Sequence, residues 1–272
     1  MKSINKDTRL CISISEKPSN FGNILHNELY KELNLNFIYK SFKIKNLKSS
    51  IDAIKTLNIR GCGVSMPYKE RVVSYLDKMD PLSKSINAVN TIVNKDGKLK
   101  GYNTDVYGAI ESLKKCNITK NYSVFMIGAG GAAKAFLLAL KKLKIKHISV
   151  ANRNRKRLEK LKSITKFNIV DWKDKSDFNA DLLINATSIG MYPNVREMGF
   201  SKSNISNSMA VVDVIINPIK SRLIMEAEKL KKQNCAGYVM SMHQARRQFY
   251  LYTSINPKLS LLEKKIKLIL KH

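Results

Sequence analysis

Four apolar residues, Val124, Phe125, Met126 and Ile127, run directly into Gly128-Ala129-Gly130-Gly131-Ala132-Ala133. KAFLLALKKLKI follows with the spacing of a helix. The order is strand, glycine turn, helix, with G-x-G-x-x-A at the turn, and few folds accommodate it. The first glycine permits the tight turn, the second lets the backbone approach a pyrophosphate, and the small third residue lets helix and strand pack closely. The helix N-terminus then presents free N–H groups and a positive dipole end to phosphate oxygens. In this context the motif implies dinucleotide binding by Gly128, Ala129, Gly130, Gly131 and Ala132.

The next strand, HISVAN at 147–152, bears on which dinucleotide is bound. An acidic residue at the end of this strand accepts from the ribose 2′-OH of NAD. Here Asn152 stands there, followed by Arg153, Asn154, Arg155, Lys156 and Arg157. No carboxylate opposes a 2′-phosphate and several cations can receive it, which favours NADP over NAD.

The remaining pattern alternates strands and helices. Strands are expected at 8–15, 36–42, 61–66, 147–151, 168–170, 181–185 and 210–215, and helices at 24–33, 47–57, 106–115, 221–232, 239–252 and 259–270. A further helical stretch is expected around 72–76. Asp96-Gly97 between two β-rich runs marks a hairpin with arms at 91–93 and 98–102. Such alternation implies an α/β fold with a parallel or mixed sheet covered on both faces. Length alone permits one large or two modest domains.

Lys and Arg total 49 against 21 acids, a formal net charge of +28. The cations are spread along the chain, with no basic tail and no nucleic-acid motif, so no nucleic-acid partner is expected. Attraction of anionic metabolites and of NADP is the simpler use of the charge. The N-terminus is polar, and the most apolar window is broken by Lys134 and the glycine turn, so no membrane association is expected. The cysteines Cys11, Cys62, Cys116 and Cys235 lack metal or C-x-x-C spacing and read as reduced thiols of a cytoplasmic protein. The four histidines show no metal spacing, so no metal is expected, and His26 and His243 read as structural.

Seven motifs in order resemble the shikimate dehydrogenase family over nearly the whole chain. They are Gly63-Val-Ser-Met-Pro-Tyr-Lys69, Asn87-Ala-Val-Asn90-Thr91, Gly101-Tyr-Asn103-Thr104-Asp105, Gly128 to Ala133, Asn185-Ala-Thr-Ser-Ile-Gly190-Met191, Asp213 to Pro218, and Gly237 to Gln244. The resemblance implies two α/β domains: an N-terminal substrate-binding domain of residues 1–105 with 238–272, and a Rossmann-like NADP-binding domain of 106–237. It implies an active site in the groove between them. The implied reaction is NADPH-dependent reduction of 3-dehydroshikimate to shikimate, a step of aromatic amino-acid biosynthesis. Lys69 and Asp105 match the family's catalytic pair. Lys69 would serve as the acid/base and Asp105 as the group that holds it. Ser65, Asn90, Asp105 and Gln244 match substrate-binding positions. Thr187, Val214 and Gly237 join Asn152, Arg153, Asn154 and Arg155 on the cofactor side.

The departures fall on the substrate side. The family binds the substrate carboxylate with two serines before a His-Asn pair. Here His26-Asn27 is present, and the serines are either Ser13 and Ser15 or are partly replaced by Ser19 and Asn20. Ser65 stands for the usual Thr, Ile216 for a usual Tyr, and Val239 for a usual Gly. The pattern resembles the shikimate dehydrogenase-like branch. It leaves open a quinate/shikimate dehydrogenase-like enzyme for another cyclic hydroxy acid, one using NAD, or a low-turnover dinucleotide-binding protein. Either a monomer or a homodimer is compatible with the sequence.

Overall fold

The computed structural model describes residues 4–269. The chain forms two compact units, one of residues up to Thr104 and from Gln244 onward, the other Asp105–His243.

The first unit is built on β1 (Arg9–Ser15), α1 (Asn20–Glu32), β2 (Phe37–Lys43), α2 (Leu47–Thr56) and β3 (Gly61–Val64). A 3₁₀ turn at Arg71–Tyr75 then leads to β4 (Lys78–Met79), α3 (Pro81–Ile86), β5 (Thr91–Lys95) and β6 (Lys98–Tyr102). The sheet order is β2-β1-β3-β5-β6-β4. Strands β1, β2 and β3 are parallel, whereas β5 runs antiparallel to both β3 and β6. The hairpin turns at Asp96 (φ 52°) and Gly97 (φ 79°), the positive pair that a tight two-residue turn requires. Ile12, Ile14, Ile51, Ile54, Val64, Val72 and Ile92 form one continuous core between α2 and the sheet.

Local chemistry sets the helix boundaries. Asn46 caps α2 by accepting from the Ser49 N–H, and Asp80 caps α3 from Ser83 with Pro81 in the first turn. The α1 helix begins at Asn20, four residues before the periodicity suggested. Ser19 is extended at the boundary after Pro18, and the short polar run after it is absorbed into the first turn.

The second unit contains α4 (Thr104–Lys115, from its second residue), β7 (Val124–Ile127), α5 (Gly131–Lys142), β8 (Ile148–Ala151), α6 (Arg155–Leu161) and β9 (Asn168–Val170). After a 3₁₀ turn at Trp172–Ser176 come β10 (Leu182–Asn185), α7 (Lys202–Asn207), β11 (Ala210–Asp213), α8 (Arg222–Lys229) and β12 (Gln233–Cys235). All pairings are parallel, in the order β12-β11-β10-β7-β8-β9. Counted from β7, this is the doubly wound order that reverses between its first and fourth strands. Strands β7, β8, β10 and β11 are buried at every position, as a sheet covered on both faces demands.

The long helix α9 (Gly237–Thr253) carries the chain from the second unit back to the first. There α10 (Leu259–Ile269) packs on α1 and Lys265 bridges to Glu28 and Glu32. Among the described residues no helix is long and apolar enough to cross a membrane. All four cysteines are free and buried.

Candidate functional site

In a doubly wound sheet, ligands bind beyond the carboxyl ends of the strands where the order reverses. That point lies between β7 and β10. Gly128 leaves β7 with φ +118°, and a Cβ there would stand 2.5 Å from the Ala186 carbonyl oxygen and 3.1 Å from Thr187 Cγ2. The turn therefore lies directly against the exit of β10. Gly130 and Gly131 differ: an added Cβ would meet nothing within 4 Å. Both are exposed, Gly130 is the N-cap of α5, and no side chain caps that helix. Open space above uncapped N–H groups fits a pyrophosphate and the dipole end that favours one.

The exit of β8 fits a 2′-phosphate. Asn152 is half-buried and its Nδ2 donates to the Asn154 carbonyl at 3.0 Å. Arg153 is exposed beside it. The Asn154 side chain caps α6, accepting from the Arg157 N–H at 3.1 Å. Arg155 faces Asp171 at 3.3 Å, an exposed pair of the kind that contributes little to stability.

A buried polar network supports the β10 exit. Asn185 Nδ2 donates to Asp213 at 3.0 Å, and Thr187 Oγ1 donates to Asn185 Oδ1 at 2.6 Å. Asp213 also accepts from the Ser221 hydroxyl, the residue that caps α8, and from the Ile215 N–H. Burial pushes the Asp213 carboxyl up to about 6, against the pull of these donors. Thr187 is thus held by Asn185. Val214 is tied through its N–H to the Asn185 carbonyl. Gly237 lies so near the Val214 and Ile215 carbonyls that a Cβ would come within 2.5 Å of them.

In the first unit, Ser65 and Lys69 follow β3 and Asn90 directly precedes β5. Val64 N–H donates to the Asn90 carbonyl and Val89 N–H to the Lys69 carbonyl, each at 2.8 Å. These bonds bring the Lys69 turn beside Asn90. Lys69 is half-buried, and Ser65 is exposed directly after β3. Asn90 is buried, and its Oδ1 accepts from Thr104 N–H at 2.8 Å and Thr91 Oγ1 at 2.9 Å. Asn103 Nδ2 donates to the Ala88 carbonyl. Asp105, buried in the first turn of α4, opens the second unit. Gln244, half-buried on α9, opens the returning segment of the first.

The segment before His26-Asn27 has its own arrangement. Ser19 and Asn20 are exposed at the N-terminus of α1. Ser13 Oγ donates to Ser41 Oγ at 2.9 Å, and Ser15 is buried. A Cβ on Gly63 would lie 3.0 Å from the Tyr39 hydroxyl, 3.2 Å from Ser13 Cβ and 3.3 Å from Gln248 Nε2. Tyr39, Thr91 and Gln248 are therefore members of this cluster that sequence reasoning passed over as site residues. One signal was available for Gln248: it follows Gln244 by four residues, on the same face of α9. Among the described residues no cluster of His, Cys, Asp and Glu can hold a metal.

The strand order and the glycine turn place the chain among the dinucleotide-binding α/β proteins. Comparison with known proteins narrows this. Residues 20–92 match the family model described as the shikimate dehydrogenase substrate binding domain, and 111–218 the model described as shikimate / quinate 5-dehydrogenase. A shikimate dehydrogenase-like protein of Haemophilus influenzae is 40% identical over 93% of this chain and 94% of its own. The shikimate dehydrogenase (NADP⁺) of Methanosphaera stadtmanae is 37% identical over 93% and 92%. A crystal structure of a shikimate dehydrogenase in complex with NADP⁺ superposes with a TM-score of 0.90 at 33% identity, covering 98% of this chain and 97% of that one. The chain belongs to the shikimate dehydrogenase family, NADP-dependent oxidoreductases that act on CH–OH groups.

Proposed function

We propose that the chain catalyses the reversible NADPH-dependent reduction of 3-dehydroshikimate to shikimate, a step toward the aromatic amino acids. The observation that carries this reading is the glycine turn at the switch point, with open space above Gly130 and Gly131, in a chain that retains Lys69, Asn90, Asp105 and Gln244. NADP(H) supplies or accepts the hydride when bound. Gly128, Ala129, Gly130, Gly131 and Ala132 receive its pyrophosphate through backbone N–H groups. Asn152, Arg153 and Arg155 hold its 2′-phosphate, with Asn154 shaping their loop as the cap of α6. Thr187, Val214 and Gly237 complete the cofactor side.

On the substrate side, Asn90, Asp105 and Gln244 bond ring hydroxyls. Lys69 passes the proton to or from the reacting oxygen, and Asp105 holds Lys69 and one hydroxyl in place. Ser65, Ser19 and Asn20 meet the carboxylate, the last two at the N-terminus of α1, where free N–H groups favour an anion. The Ser13–Ser41 bond supports a second reading, a quinate or related cyclic hydroxy acid as main substrate, because it engages a serine otherwise free for the carboxylate.

Initial rates of NADP⁺ and NAD⁺ reduction with shikimate and, separately, quinate test both. Rapid NADP⁺ reduction with shikimate supports the first reading. Turnover confined to quinate or another acid supports the second, and NADP(H) binding without turnover defeats both.

A further inference from the structure

Asn90 is anchored by bonds that also fix which way its amide faces. The Thr104 N–H can only donate, so the end of Asn90 it touches is Oδ1. Thr91 Oγ1 lies 2.9 Å from that same oxygen and must donate to it. Its one proton is then engaged, so Thr91 meets Gln248, 3.0 Å away, as an acceptor. Gln248 therefore turns Nε2 toward Thr91 and Oε1 toward His26 Nε2 at 3.1 Å. His26 completes the series as a donor from Nε2. Its Nδ1 carries no proton, and that atom is buried with no hydrogen-bond partner among the described residues. The ring is held by stacking on Tyr39 at 4.4 Å and 7°, and burial keeps it neutral by pushing its pKa down to about 4. Donation thus runs one way, from His26 through Gln248 and Thr91 to Asn90.

We infer that Gln248 is a positioning residue for the acid substrate. It keeps the Thr91 proton on Asn90 Oδ1, the oxygen that the Thr104 N–H also reaches, and so steadies the side chain whose Nδ2 donates to Thr104 Oγ1 at 3.0 Å and, in the proposed role, to a ring hydroxyl. The inference rests on the proposed role of Asn90. Gln248 acts through Thr91 and Asn90.

Gln248→Glu is the decisive variant, because it keeps the shape and the His26 bond but cannot donate to Thr91. The carboxylate accepts the Thr91 proton instead, and Asn90 Oδ1 loses it. The KM for shikimate should rise about tenfold, the effect of one misdirected buried hydrogen bond, with the KM for NADP⁺ unchanged. Thr91→Val should do the same, Thr91→Ser should restore the wild-type value, and the double variant Gln248→Glu/Thr91→Val should add nothing to either single loss. An unchanged shikimate KM in Gln248→Glu, additive losses in the double variant, or an equal rise in the NADP⁺ KM would overturn the inference. The side-chain amide signals of Asn90 in ¹⁵N-labelled full-length protein, assigned with Asn90→Asp, give a readout independent of turnover. They should move in both single variants, and signals that stay in place overturn the inference. If the wild-type protein oxidises no shikimate, the proposed function fails, and these signals alone decide for or against Gln248.

Discussion

Arg153 and Lys69 are two members of a surplus of cations, and what distinguishes them is position. Arg153 is exposed one residue beyond Asn152, at the exit of a strand that ends without a carboxylate. A guanidinium on a phosphate makes charge-assisted bonds that contribute roughly 1.5–3 kcal/mol. Arg153→Ala should therefore raise the KM for NADP⁺ by about ten- to a hundredfold. The NAD⁺ value should stay near wild type, since NAD⁺ has no 2′-phosphate to lose. Equal losses with both cofactors would remove Arg153 from the phosphate site. Lys69 sits in the turn whose carbonyl is tied to Val89, beside Asn90. In the proposed role Lys69→Ala lowers kcat by about a hundredfold or more, the scale of general acid–base catalysis, with a smaller change in KM. A loss confined to KM would make Lys69 a binding group only. At this scale the sequence was informative where a residue type is rare in its context, as with Asn152 in place of an acid. For Gln248, on the long helix α9, it offered no more than the four-residue spacing from Gln244, because the partner that gives Gln248 meaning lies 157 residues away in the sequence.

Strand β7, the glycine turn and helix α5 act as one element, and their glycines do two different jobs. Gly128 is required by the fold: its φ is positive and a Cβ would stand 2.5 Å from the Ala186 oxygen. Gly128→Ala should cost about 2–4 kcal/mol of stability in a urea titration, the range for a strained backbone combined with a clash. Gly130 has open space around it and a negative φ, so the fold does not need a glycine there. Gly130→Ala should leave the urea midpoint near wild type yet raise the KM for NADP⁺, because the new methyl occupies the space proposed for the pyrophosphate. A normal NADP⁺ KM in Gly130→Ala would mean that the space is not a cradle. The legibility of elements follows similar physics. Strands β7, β8, β10 and β11 are buried on both faces and read as plain apolar runs. Asp96-Gly97 announced its hairpin through the φ values it must adopt. By contrast α3, α7, β4 and β12 span two to six residues each, too short for an apolar period to complete, and went unread. The 72–76 stretch proved to be a 3₁₀ turn at Arg71–Tyr75, a distinction too fine for apolar spacing over five residues.

Each unit of the molecule buries a side chain whose shifted pKa falls in the mildly acidic range, His26 in the first and Asp213 in the second, and the two respond to acid in opposite directions. In the first unit His26 is held neutral, its pKa lowered from 6.5 to about 4 by burial. The unfolded chain binds a proton there before the folded one does, so this unit loses stability as pH falls from about 6.5 to 4. In the second unit burial raises the Asp213 carboxyl from 3.8 to about 6. The folded state binds that proton first, so its stability is greatest below the unfolded pKa and declines as pH rises toward 6. Either shift corresponds to roughly 3 kcal/mol at its limit. The contributions are of similar size and opposite sign over nearly the same window, so a global melting temperature conceals both. Hydrogen exchange at pH 7 and pH 5, corrected for intrinsic rates, separates them by location. Between those values β1, β2 and α1 should lose protection relative to β10 and β11. His26→Phe should abolish the acid sensitivity of the first set, and Asp213→Asn the gain in the second. If both sets move together, or if the slopes survive these substitutions, then neither His26 nor Asp213 governs the acid response of its unit.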